Sequence, residues 1–150
     1  MRTYLRVGAL IFYKNKLVTT KMKKDGEEYY VLPGGGVEDY ETIHEALVRE
    51  LKEELDIDIT KSRLVYIREL NIKEKGRGVE FYFLVESFGG KIKKGFDPES
   101  KKSLFEDIAF FNLEELNNIV FHPKQLIEVL KKDKNDHFEG IKHLGLQDYP

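Results

Sequence analysis

Residues 35–57, GGVEDYETIHEALVRELKEELDI, join a glycine turn to a helix whose acidic residues crowd one side. Glu50, Glu53 and Glu54 are spaced i, i+3, i+4. At those spacings side chains are helix neighbours, with Cβ atoms about 5–6 Å apart, and like charges repel. A hard divalent cation reverses the sign of that effect, because Mg²⁺ takes oxygen ligands and shares them with substrate phosphates. Thr42 followed by Glu45 has the pattern of a capping box, so the helix is expected from about Ile43 to Leu55. At about 100° per residue, Ile43, Leu47, Val48, Leu51 and Leu55 share one apolar arc. Glu50 and Glu54 fall at the edge of that arc, and Glu53 and Arg49 lie one step further round. Charge at the shoulder of a buried face is unfavourable unless compensated. Arg49 can offset one carboxylate through a two-pronged contact, and a cation can satisfy the rest.

A blander reading exists. Glutamate-rich helices are common, and Arg49 with Lys52 is ordinary surface charge. Two features count against it: the position beside the core, and the preceding Leu32-Pro33-Gly34-Gly35-Gly36. Glycines there let backbone approach a ligand or metal closely, which makes Gly36 a candidate substrate contact.

Before this segment, residues 3–13 and 16–22 read as two strands joined by a tight turn at Lys14-Asn15, and 29–32 as a short strand. After it, 64–72 and 79–85 read as strands. In the second, Val79, Phe81, Phe83 and Val85 alternate with Glu80, Tyr82 and Leu84. Residues 88–106 read as a lysine- and glycine-rich loop, 107–111 as a strand and 113–117 as one helical turn. A terminal helix is expected over 122–132, with Pro123 at its first position. The tail 133–150 is polar and shows no clear period. Strands on both sides of a central helix imply an α/β protein with a mixed sheet covered by helices.

The 150 residues read as one domain, 1–150, long enough to bury a core. With 41% hydrophobic and 35% charged residues, the chain has a globular composition. A net charge of −2 argues against nucleic-acid binding. The absence of cysteine excludes disulfides, thiolate metal sites and a cysteine nucleophile. No signal-peptide core and no membrane-spanning run is legible, so a cytoplasmic protein without a membrane partner is expected.

Over residues 35–57 the chain resembles the Nudix hydrolase family, whose signature is a glycine, five residues, a glutamate, seven residues, then Arg-Glu-apolar-x-Glu-Glu-x-Gly-apolar. Gly35, Glu41, Arg49, Glu50, Leu51, Glu53, Glu54 and Ile57 fall on it. Asp56 departs, standing where the family has glycine; Asp tolerates the left-handed conformation better than most residues. The resemblance implies an α/β/α sandwich and Mg²⁺-dependent (alternatively Mn²⁺-dependent) hydrolysis of a nucleoside diphosphate linked to another group. That substrate class includes a nucleoside triphosphate such as 8-oxo-dGTP, ADP-ribose, another nucleotide sugar or a dinucleoside polyphosphate. It further implies that Glu50, Glu53 and Glu54 hold the metal with the Gly35 carbonyl, that Glu53 is a candidate base, that Glu41 supports from outside and that Arg49 orients the glutamates. The alternative is a Nudix-like module that binds a nucleotide without cleaving it.

The family's general base often comes from a loop facing the helix. Glu106 is the first choice, with Glu69 and Glu80 as rivals. Arg6, which interrupts an apolar strand, is a candidate for substrate phosphate, as are Lys91, Lys93 and Lys94. Tyr4, Tyr29, Tyr82 and Phe121 are candidates to stack on a base, although aromatics on strands are more often core. His44 and His122 read as packing and helix-entry residues. A chain this short has little room for an added specificity domain, which suits a small nucleotide or a homodimer interface.

Overall fold

Apolar residues along the N-terminal third make five strands; the second pairs with the third and the third with the fourth across tight turns, while the first, expected to pair onward through Lys14-Asn15, belongs instead to the other sheet. In the computed structural model, which describes residues 2–95 and 105–149, they are β1 (Arg2–Leu10), β2 (Phe12–Tyr13), β3 (Lys16–Lys24), β4 (Glu27–Val31) and β5 (Gly34–Gly36). Then follow α1 (Ile43–Leu55), β6 (Asp58–Ile72), β7 (Gly76–Gly89) and β8 (Phe105–Phe111). A 3₁₀ turn (Leu113–Asn118), β9 (Phe121–His122), α2 (Leu126–Lys134) and β10 (Lys142–Asp148) complete the chain. One sheet has the order β10-β6-β7-β1-β5; a second has β2-β3-β4-β9, with β8 also paired to β3. The first is mixed: β1–β7 and β10–β6 are parallel, β1–β5 and β6–β7 antiparallel.

Helix α1 packs against β1, β5 and β6. Leu47, Leu51 and Leu55 are fully buried there with Val7, Ala9 and Phe83. The opposite core joins Leu10, Tyr66 and Tyr82 to Leu116, Leu126 and Leu130. Sheet residues thus meet helix on both faces, which is the α/β/α arrangement expected. Among the described residues no helix is long and apolar enough to cross a membrane.

The ends of α1 follow its local chemistry. The Thr42 hydroxyl accepts from the Glu45 amide at 3.0 Å, and the Glu45 carboxylate accepts from the Thr42 amide at 3.2 Å. Asp56 takes the left-handed conformation (φ 55°, ψ 39°). Its carboxylate reaches Lys52 and Lys93 at 3.2 and 3.3 Å, which accounts for a side chain where glycine is usual.

Several boundaries differ from those expected. β6 and β7 are longer than 64–72 and 79–85, because they pair from Asp58↔Gly89 to Ile72↔Gly76 through polar residues that carry no hydrophobic signal. The polar tail supplies β10, held to the edge of β6 by backbone pairing. The second helix starts at Leu126 rather than 122: His122 belongs to β9, paired with Val31, and Pro123 follows a cis bond in the turn before the helix. Val48 is exposed, while Ala46, Glu50 and Glu54 are buried. The inward face of α1 is therefore rotated towards the glycine strand.

Candidate active site

That rotation carries two carboxylates inside. Glu50 and Glu54 are 4% and 6% exposed, whereas the Glu53 side chain is 31% exposed and faces the cleft. Taking charge out of water costs several kcal/mol per ion. Each fully buried leucine of α1 contributes roughly 1.5–3 kcal/mol, so the apolar part of the helix can hold its acidic part in place.

Glycine makes the space. A Cβ on Gly35 would lie 2.3 Å from Glu50 Oε1, so only the bare backbone of β5 fits against that carboxylate. The Gly34 amide donates to Glu54 Oε2 at 3.1 Å. Burial pushes the Glu54 carboxyl up to about 8, reinforced by the charge of Glu53 and opposed by the Gly34 amide and by Arg6.

Arg49 ties the cluster together. Its Nε and Nη2 donate to the two oxygens of Glu41 at 2.7 and 2.9 Å. Nη1 reaches Glu50 at 3.0 Å and Glu53 at 3.4 Å, and Nη2 also donates to the Gly36 carbonyl at 3.0 Å. The hydrogen bond from Arg49 holds Glu41 below the ordinary carboxylate range, against the opposing effect of burial. One fork-shaped cation thereby sets the positions of three carboxylates and of the glycine strand.

These groups open on a cleft of about 800 Å³ between the two sheets. Arg6, Arg68, Glu80 and Tyr82 line it from the first sheet; Thr20, Met22, Tyr29 and His122 line it from the second. The Tyr29 and His122 rings lie 5.5 Å apart. Tyr149 lines it from the tail.

The donors fit a hard cation in kind: carboxylate oxygens on one helix face, beside a backbone stripped of side chains. Among the described residues no three acidic or imidazole side chains by themselves enclose an ion. Mg²⁺ ordinarily takes only one or two carboxylates and completes its shell with water and substrate phosphate, so the set suits it.

The structure brings together Arg6, Gly35, Gly36, Arg49, Glu50, Glu53 and Glu54 around the cleft. Glu106 stands apart, on β8 in the second sheet; its carboxylate lies 3.9 Å from Lys21 and 4.0 Å from Lys23 and does not line the cleft. Glu69 faces His143 and Arg77 instead. Lys93 pairs with Asp56, and Lys94 donates to the Glu106 carbonyl. Phe121 is core, Tyr4 lies beside Arg2, and His44 packs against Phe83. Arg68 and Tyr149 were not singled out by sequence pattern. A charged residue inside an apolar strand was the one signal that could have marked Arg68.

The NUDIX domain family model matches residues 3–132. Over 131 residues the chain is 31% identical to an ADP-ribose pyrophosphatase of Methanocaldococcus jannaschii, covering 86% of this chain and 73% of that protein. It is 32% identical over 127 residues to an 8-oxo-dGTP diphosphatase of Buchnera aphidicola, covering 79% and 91%. The crystal structure of a MutT NUDIX hydrolase from Burkholderia pseudomallei has the same fold, with TM-score 0.68, 22% identity and 85% and 96% coverage. A glycine strand fitted against a buried glutamate, an arginine binding three carboxylates and a match over most of the length agree: the chain belongs to the NUDIX family and is one of its pyrophosphohydrolases.

Proposed function

We propose that the protein is a Mg²⁺-dependent hydrolase of nucleotides in which a nucleoside diphosphate is linked to another group, releasing a nucleoside monophosphate. The observation that carries this reading is the pair of buried carboxylates, Glu50 and Glu54, packed against a strand that admits no side chain at Gly35. Glu50, Glu54 and the Gly35 carbonyl would hold the metal, with Glu53 at the cleft side. When bound, the ion supplies charge neutralisation of the diphosphate and a lowered pKa for the attacking water.

The chain's own part is positioning and electrostatics, which dominate phosphoryl-transfer chemistry. Arg49 holds Glu53 at the cleft surface. Glu53 is the most exposed of the three glutamates Glu50, Glu53 and Glu54 and is assigned the role of taking the water's proton; Glu106 is left to salt bridges with Lys21 and Lys23. Arg6 faces the substrate phosphates and Gly36 approaches them with its backbone. Tyr29 and His122 offer aromatic faces to a base. The relatives are named for 8-oxo-dGTP and ADP-ribose, so both head the substrate list.

The test is nucleoside monophosphate release from a panel of nucleoside triphosphates, 8-oxo-dGTP, ADP-ribose and dinucleoside polyphosphates, with Mg²⁺ and with EDTA. Glu53→Gln and Glu54→Gln are expected to lower kcat by at least about 100-fold with unchanged far-UV circular dichroism. Wild-type turnover in either variant removes that residue from the chemistry. Nucleotide binding without turnover would make the protein a sensor instead.

A further inference from the structure

The first sheet carries a row of charge that the glutamate cluster does not use. Cross-strand register aligns Gly36, Arg6, Glu80 and Arg68 on four neighbouring strands, β5, β1, β7 and β6. Gln147 of β10 is paired in register with Leu70, two residues along, but its side chain reaches the end of the row, with Oε1 accepting from Arg68 Nη1 at 2.8 Å. Arg68 is 2% exposed. Its Nε and Nη2 both donate to Glu80 Oε1, at 2.9 and 2.5 Å, and the Tyr82 hydroxyl donates to the same oxygen at 2.8 Å. The other oxygen, Oε2, faces Arg6 Nε at 3.4 Å. Among the described residues that Nε is buried without a hydrogen bond, so the contact it makes there is with the charge of Glu80, while the Arg6 side chain remains 43% exposed in the cleft.

A buried Arg–Glu pair is not needed to hold a sheet together; apolar residues of similar volume commonly do so as well or better. Three donors on one Glu80 oxygen leave the second oxygen aimed at Arg6. We infer that Glu80, fixed by Arg68, Tyr82 and the tail residue Gln147, is a positioning residue that aims Arg6 at the diphosphate of the substrate. The inference rests on the hydrolase reading above. It makes the C-terminal strand a working part of the site, because β10 supplies the last hydrogen bond of the relay.

The test uses the full chain with inorganic pyrophosphate as probe, titrated calorimetrically in the presence of Mn²⁺, alongside KM and kcat on the best substrate of the panel. Arg6→Ala is expected to weaken pyrophosphate binding by about 30-fold, the usual scale for a lost charge-assisted contact. Glu80→Gln and Gln147→Ala are expected to weaken it by about fivefold and twofold through Arg6. Each effect is expected to exceed any change in kcat. Because Glu80 acts through Arg6, adding Glu80→Gln to Arg6→Ala is expected to cost nothing further. The triple replacement Arg68→Met, Glu80→Leu and Tyr82→Phe, which leaves no buried hydroxyl without its Glu80 acceptor, guards against misfolding: it is expected to keep the melting temperature and still weaken pyrophosphate. Unchanged pyrophosphate affinity in folded Arg6→Ala or Glu80→Gln, additive effects in the double variant, or a wild-type protein that does not bind pyrophosphate would each overturn the inference. Failure of every nucleotide to turn over, with pyrophosphate behaving as stated, overturns the hydrolase reading and leaves the relay standing.

Discussion

Gly35 and Arg49 set the geometry of the acidic cluster from opposite sides. Gly35 gives by omission: any Cβ there meets the Glu50 carboxylate. Arg49 gives by shape, since only a planar fork can bind both oxygens of Glu41 while reaching Glu50 and Glu53. The clash at Gly35 is with the end of a rotatable side chain, so the fold can yield and the site cannot. Gly35→Ala is therefore expected to lower kcat about 100-fold, the scale of a 1 Å misplacement, with little change in melting temperature. Steady-state kinetics and a thermal melt on the same preparation check this; a full loss of folding would show that Glu50 has nowhere to turn.

Helix α1 works as an element because its two ends are closed by side chains and its inward face is mixed. The Thr42–Glu45 reciprocal pair caps the start, and Asp56 in the left-handed conformation ends it. Thr42→Ala is expected to cost about 1 kcal/mol, the usual value of an N-cap, read as a shift in the urea midpoint at constant m-value. The helix was legible at residue level: capping box, apolar period and acidic spacing all stand in one segment. Its rotation was not. Helical periodicity pointed to an arc including Val48, yet the helix turned Ala46, Glu50 and Glu54 inward. The reason lies in the neighbour: a glycine strand accepts a carboxylate where a strand with side chains would have rejected it.

At the scale of the molecule, the tail is tied to the body by buried polar contacts. Asp133 of α2 is 2% exposed. It accepts from the Tyr66 hydroxyl of β6 at 2.6 Å and from Lys142 of β10 at 2.5 Å. Burial raises the Asp133 pKa, but the Lys142 and Tyr66 hydrogen bonds outweigh it and leave the group below its usual 3.8. A carboxyl whose folded pKa is depressed adds stability above the unfolded value and loses it as pH falls through the folded one. The protein is expected to keep this contribution at neutral pH and to lose it below about pH 4. Asp133→Asn is expected to be less stable than wild type at neutral pH and to show a flatter acid limb. Urea midpoints across pH check this, and parallel limbs in the two proteins would place the acid sensitivity elsewhere.

The chain's own order of residues was enough to specify α1, its caps, the acidic spacing and the family signature, because these depend on neighbours three or four positions apart. Only the tertiary structure decided that Glu106 stands apart from the cluster while Arg6 joins it. It likewise set the row from Gly36 through Glu80 to Arg68, and turned the polar tail into a sheet edge that brings Gln147 to Arg68 and Tyr149 to the cleft. Those outcomes depend on strand register, and on contacts between residues up to 79 positions apart that the register brings together. Register is a property of backbone pairing, and backbone groups are nearly the same in every residue, so side-chain pattern carries little trace of it.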